Sequence, residues 1–174
     1  MSIATRTGDD GTTALLFNRR VSKNHPRVIA AGVVDELNAA LGLARASVKD
    51  VAMAASIFAE QQCLVGLMAE LATDDADRPR LFESKLQRLM PEDLARVNAL
   101  VAKLETKLPA QKHWDTPGEN LAHAHLHVAR AVCRRAERDC VALRATGAQV
   151  PDLVLHYLNR LSDALWLLAR DAAN

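Results

Sequence analysis

The sequence predicts an all-α fold, a five-helix bundle behind an N-terminal loop. Apolar residues recur at steps of three and four over five separate stretches, and Pro or Gly marks the breaks between them. No strand-like alternation competes with that period, and no internal repeat occurs. Of the seven glycines, at 8, 11, 32, 42, 66, 118 and 147, only the first two lie close together. The expected organisation is one domain over 1–174, with a loop over 1–25 and a bundle over 26–174.

Each element has its own signal. Asn24-His25-Pro26 opens the first helix, with Pro at a position favoured for helix starts. Val34, Leu37, Leu41 and Ala44 then share a face, as do Leu64, Leu67, Met68 and Leu71 in the second helix. The acidic stretch 73–79 ends in Pro79 and breaks the chain. Pro91 opens a third helix, with Leu94, Val97, Val101 and Leu104 on one side. Residues 107–118, with Pro109, Pro117 and Gly118, read as a loop. Ala122, Leu126, Ala129, Cys133, Ala136, Cys140 and Leu143 step 4-3-4-3-4-3, a near-heptad seam of small residues that lets a neighbour approach closely. Thr146-Gly147 ends this fourth long helix. Pro151 opens the fifth, with Val154, Leu158, Leu161, Leu165 and Leu168 as its seam.

Composition narrows the function. The 174 residues are 49% apolar and 25% charged, with net charge +1, enough for one domain with a real core. That balance gives no basic footprint for nucleic acid, and 3% aromatics is too few for base stacking. Three cysteines without a CxxC pair argue against a disulfide framework and suit a reducing compartment. The polar start MSIATRTGDDGTT does not read as a signal peptide. No stretch reads as the roughly 20 apolar residues of a membrane span.

Several clusters carry possible chemistry. Thr5-Arg6-Thr7-Gly8-Asp9-Asp10-Gly11-Thr12-Thr13 offers hydroxyls and amides that can wrap phosphate, with Arg20 and Lys23 as cations nearby. It is not a GxxxxGK[ST] loop, and a flexible arm explains the same residues. Arg130, Arg134 and Arg138, at i, i+4 and i+8, form a stripe that either grips phosphate or is a solvated face paired with Glu137 and Asp139. Asp35, Glu36 and Asn38, with Asn159 and Asp163, flank apolar seams and are buried partners or surface filler. His123 and His127 are spaced to chelate a metal ion, but no third ligand follows from spacing and HExxH is absent. Trp114, in the Pro/Gly loop, is either an apolar anchor or a ligand-contacting wedge.

Taken together, TRTGDDGTTALL with RVSK, VDELNAALGLA, HVARAVCRRAER and YLNRLSDALWLLAR resemble the PduO-type ATP:cob(I)alamin adenosyltransferases in order and spacing, from Thr5 to Arg170. The resemblance implies a homotrimer with sites between subunits. It implies that Thr5, Arg6, Thr7, Gly8, Thr12, Thr13 and Lys23 contact ATP, and that Arg134, Arg135, Glu137, Arg138 and Asn159 complete that pocket. Asp35 would pair with Arg130, in one chain or across the subunit boundary, and with Trp114 shape the cobalamin side. Arg134, Lys23, Asp35 and Arg130 would be the catalytic set. Mg²⁺ would be held by ATP phosphates and water rather than by a protein cage.

It further implies a cytoplasmic enzyme, with a reductase and a B12-dependent acceptor enzyme as partners, and neither nucleic acid nor membrane as one. Two departures stand out. The family loop reads F-x-x-P-G-G, and here it is Trp114-Asp115-Thr116-Pro117-Gly118-Glu119; Phe17-Asn18-Arg19 lacks the glycine often found before R-V-x-K. A non-catalytic ATP- or cobalamin-binding carrier or sensor on the same fold is the alternative reading.

Overall fold

The computed structural model describes residue 4, residues 6–110 and residues 115–173. Five long helices form the bundle: α1 (Pro26–Ser47), α2 (Val51–Leu71), α4 (Pro91–Lys107), α5 (Leu121–Ala145) and α6 (Asp152–Ala173). The sixth, α3 (Arg78–Glu83), is a single short piece inside the acidic break, preceded by a 3-10 turn at Asp75–Asp77. The N-terminal segment is more ordered than a loop. It forms a small hairpin, β1 (Thr12–Ala14) against β2 (Arg20–Ser22), antiparallel with Thr13 opposite Val21. Strands of three residues are too short to show alternation in the sequence.

Helix ends follow local chemistry. Nδ1 of His25 accepts the amide of Arg27 ahead of α1. The Asp50 carboxylate accepts the amides of Ala52 and Met53 at 2.7 and 3.1 Å, capping α2. Asp93 reaches back to the amide of Met90 at the start of α4, 2.9 Å away. Asn120 caps α5 by accepting the amide of His123 at 2.9 Å. Gly147 closes α5 with φ +89°, which a glycine adopts without strain.

The expected seams are the core. Val34, Leu37, Leu41 and Ala44 are fully buried, and so is the α5 run Ala129, Cys133, Ala136 and Cys140. These small residues pack chiefly against α1 and α6, and Cys133 Sγ lies 3.2 Å from the carbonyl oxygen of Leu158, so α5 and α6 approach closely there. Burial raises the thiols, Cys63 to about 11 and Cys140 to about 12.

One sequence expectation needs correction. With mean hydropathy 1.4 in its best 18-residue window, α2 is long and apolar enough to cross a membrane by composition. Its environment explains that apolarity differently. Buried Glu60 accepts from Tyr157 at 2.7 Å and pairs with Arg96, and buried Glu70 accepts the amide of Leu89 at 2.9 Å. Charged groups bonded to α4, α6 and the 84–90 segment make α2 a bundle core helix.

Candidate active site

The hairpin presents a cradle. The turn before β1 is closed by the amide of Gly11 donating to the carbonyl of Gly8 at 3.2 Å, and the amide of Lys23 donates to the carbonyl of Gly11 at 2.9 Å. Asp10 accepts the amide and hydroxyl of Thr12 at 2.9 and 2.7 Å, which hold its carboxyl below the usual range, with Arg20 adding to the effect. Arg20 donates to the carbonyl oxygen of Thr7 at 2.7 Å and to the Thr12 hydroxyl. Gly8 leaves room for the Lys23 ammonium, since a Cβ there would stand 3.3 Å from Nζ. Among the described residues Lys23 forms no ion pair, and it is exposed beside the turn's backbone. The amides of Asp9, Gly11, Thr12 and Lys23 are all bonded within the hairpin, and the exposed Lys23 ammonium is the group here suited to meet a polyphosphate.

Contacts to the 72–80 segment anchor the hairpin. Leu15 is buried, and the amide of Leu16 donates to the carbonyl of Ala72 at 2.8 Å. Nε of Arg19 bonds Asp77 at 2.9 Å, with Asp74 3.6 Å away. Where the glycine is missing, Phe17 and Asn18 both take φ +63°. Asn tolerates that left-handed conformation; Phe is strained there, and its ring lies under the Arg80 guanidinium at 4.3 Å. Nearby, buried Arg27 donates to the carbonyl of Leu71 at 3.3 Å and pairs with Asp75, tying α1 to the end of α2.

On α5 the arginines diverge. Arg130 and Arg134 line a cleft of about 240 Å³ together with Glu105, Arg160, Asp163 and Trp166 from α4 and α6. Arg135, one residue on and so about 100° around the helix, faces α1 and pairs with Glu36. Glu137 accepts from the Asn159 amide at 3.3 Å, joining α5 to α6. Arg138 is exposed. Asp35 is exposed too, and within one chain it forms no ion pair with Arg130; Nε of Arg130 instead donates to Nδ1 of His127 at 3.4 Å. Arg6 is exposed with φ +57°, and Thr13 sits half-buried in β1. Thr5 and Trp114 lie outside the described residues.

The structure adds residues that spacing missed. Arg160 and Trp166 enter the cleft because α6 turns them toward Arg130 and Arg134, and nothing in their spacing signals a site. Asp115 reaches His123 and His127 from across the loop, supplying the third polar group that the histidine spacing lacked.

Over this geometry, the sequence pattern of the cobalamin adenosyltransferase family matches residues 3–172. The chain belongs to that family. It is 42% identical to a corrinoid adenosyltransferase of Citrobacter freundii over 168 residues, covering 97% of this chain and 93% of that one. It is 41% identical to the corrinoid adenosyltransferase PduO of Salmonella typhimurium over 170 residues, where it spans 49% of the relative's length. Among solved structures, it resembles a variant PduO-type ATP:corrinoid adenosyltransferase from Lactobacillus reuteri complexed with cobalamin and ATP. That likeness has TM-score 0.89 and 31% identity, and covers 99% of this chain and 93% of the other. The helical bundle with its short hairpin thus has the overall fold of that PduO-type structure.

Proposed function

We propose that this chain transfers the 5′-deoxyadenosyl group of ATP to the cobalt of cob(I)alamin, releasing triphosphate. One observation carries the reading: the whole described chain superposes on an adenosyltransferase holding both ATP and cobalamin. The cradle of Gly8, Gly11 and Lys23, and the arginines of α5, support it.

The chemistry asks little acid–base work of the protein. The cobalt(I) electron pair attacks C5′ and forms the Co–C bond, so the metal becomes cobalt(III). The C5′–O bond breaks, and triphosphate departs with that pair. Catalysis is then alignment of C5′ over cobalt and stabilisation of charge on the leaving triphosphate. Lys23 and Arg134 suit the second task. Arg6, Thr7, Gly8, Thr12, Thr13, Arg135, Glu137, Arg138 and Asn159 complete the nucleotide site in this reading, and Thr5 joins them from the resemblance. Asp35 and Arg130 serve the corrinoid side in this reading, with their pairing formed between subunits, and Trp114 joins them from the resemblance. Asp10 is already engaged by Thr12 and Arg20, which leaves Mg²⁺ to phosphate oxygens and water.

The same reading makes the protein a cytoplasmic homotrimer, served by a reductase and handing its product to a B12-dependent enzyme. Exposed Leu43, Phe58, Val65, Val128 and Val141 support an assembly that covers apolar side chains. The test mixes protein, ATP, Mg²⁺ and chemically reduced cobalamin, and follows the corrin absorbance. Adenosylcobalamin is the expected product. ATP binding without product would leave a carrier or sensor, and neither would sink both readings.

A further inference from the structure

We propose that Asp115, His123 and His127 form a hydrogen-bonded clamp, a set of positioning residues that fixes the 115–119 loop and Arg130 on the corrinoid side of the site. The proposal rests on the adenosyltransferase reading for what the clamp positions, and on this chain's own atoms for the clamp itself.

Both rings are buried, at 1% and 4% exposure. Their Nε2 atoms lie 3.2 Å apart. Asp115 places one carboxylate oxygen 3.4 Å from Nε2 of His123 and the other 3.2 Å from Nε2 of His127. Spacing of this kind fits a divalent metal as well as a hydrogen-bonded cluster, so the far sides of the rings decide between them. Nδ1 of His123 faces the backbone amides of Gly118 and Glu119 at 3.2 and 3.3 Å, and amides only donate. Nδ1 of His127 faces Nε of Arg130 at 3.4 Å, and a guanidinium also only donates.

Each Nδ1 therefore keeps its lone pair, and each neutral ring carries its proton on Nε2. A metal-bound imidazole shows the reverse pattern: its free nitrogen donates an N–H to a carboxylate, carbonyl or water. The two Nε2–H groups instead make a fork aimed at the two oxygens of one carboxylate, much as a single guanidinium does. The edge-on ring arrangement, 83° between planes, lets both point the same way.

The clamp joins two parts of the corrinoid side. Asp115 directly follows Trp114, the residue that the family resemblance puts against the corrin. His123 also holds the loop's return through the Gly118 and Glu119 amides, at a turn where Gly118 takes φ +127°. His127 passes the connection to Arg130, which lines the α5 cleft beside Arg134. Loosening Asp115 is thus expected to disturb cobalamin placement and to spare ATP.

The test uses the full chain as wild type, Asp115→Asn and His123→Phe. Long-range ¹H–¹⁵N NMR of wild type is expected to show the Nε2–H tautomer for both histidines. An Nδ1–H tautomer at either ring, or stoichiometric Zn²⁺ retained by wild type and lost in Asp115→Asn, overturns the clamp. In Asp115→Asn the KM for cob(I)alamin is expected to rise about tenfold, with the KM for ATP changed less than about twofold, the scale of losing one charge-assisted bond. With ATP present, the Kd for cobalamin read from its corrin absorbance is expected to rise by a similar factor in this variant.

Wild-type values for both cobalamin readouts in Asp115→Asn overturn the positioning role; if that variant does not fold, His123→Phe decides in the same way. Wild type that makes no adenosylcobalamin overturns the adenosyltransferase reading, and the positioning role with it. Normal wild-type turnover with an unaffected variant overturns the positioning role alone.

Discussion

Gly8 lies directly against Lys23: a methyl group at Gly8 would stand 3.2 Å from Cε of Lys23 and 3.0 Å from the carbonyl oxygen of Thr12. The lysine arm can move aside, but the Thr12 carbonyl belongs to the backbone of β1. Gly8→Ala is therefore expected to push the cradle open by overpacking, which costs about 1–3 kcal/mol, and to raise the KM for ATP about tenfold. A loss of that size in a chain of 174 residues should lower the melting temperature by a few degrees and leave the bundle folded. ATP titration with parallel melts checks both, and an unchanged KM would place the nucleotide elsewhere.

Arg134 is exposed on the cleft, and among the described residues it forms no ion pair. Its removal leaves no buried partner stranded. Arg134→Ala is expected to lower kcat by about 10²–10³-fold, the scale of losing one group that stabilises developing charge. The circular dichroism spectrum and oligomeric state should stay as in wild type. Wild-type kcat in this variant would remove Arg134 from the catalytic set.

The hairpin's anchor should be acid-labile. Asp77 is held below its ordinary value of 3.8 chiefly by the hydrogen bond from Arg19. A carboxyl depressed in the folded state stabilises fully above that ordinary value, and the contribution is lost as pH falls through the lower folded value. Amide exchange in residues 12–22 should accelerate below about pH 4 in wild type. In Arg19→Ala it should be fast at neutral pH too. Exchange unchanged in the variant would show that Leu15 and the Leu16–Ala72 bond suffice alone.

His127 gives a second pH dependence. Burial pushes its imidazole below 6.5, the neighbouring His123 and Arg130 act in the same direction, and Asp115 opposes them without reversing the shift. The unfolded chain then binds the proton first, so stability falls as pH drops below about 6.5 and levels off below the folded value. Melting temperature measured across this range should decline in wild type and be flatter in His127→Asn. Parallel curves would mean that another group titrates.

The thiols should be inert. Cys63, Cys133 and Cys140 are buried, and burial raises all three. Because the thiolate is the reactive form, a thiol reagent should label the native protein far more slowly than the denatured one. Rapid labelling of native protein would show that α2 (Cys63) or α5 (Cys133, Cys140) opens locally.

The bundle was legible in the sequence because periodicity is a local property. Residues such as Leu37, Leu41, Cys133 and Leu158 declare their face by their spacing alone, and the burial of that face drives the helices together. Pro26, Pro91 and Gly147 set helix ends for equally local reasons. The ordered motifs around Gly8, Asp35, Arg134 and Asn159 marked the family, since they lie in sequence segments whose order and spacing survive without coordinates. Tertiary structure decided everything that joins distant segments. It turned the N-terminal arm into a hairpin pinned by Arg19 on Asp77, paired Arg135 with Glu36 of α1, and set Trp166 and Arg160 into the cleft. It also brought Asp115 to two histidines whose spacing named no third partner. Hydrogen bonds and ion pairs depend on distances of a few ångström between chain segments, and spacing along the chain carries no record of those.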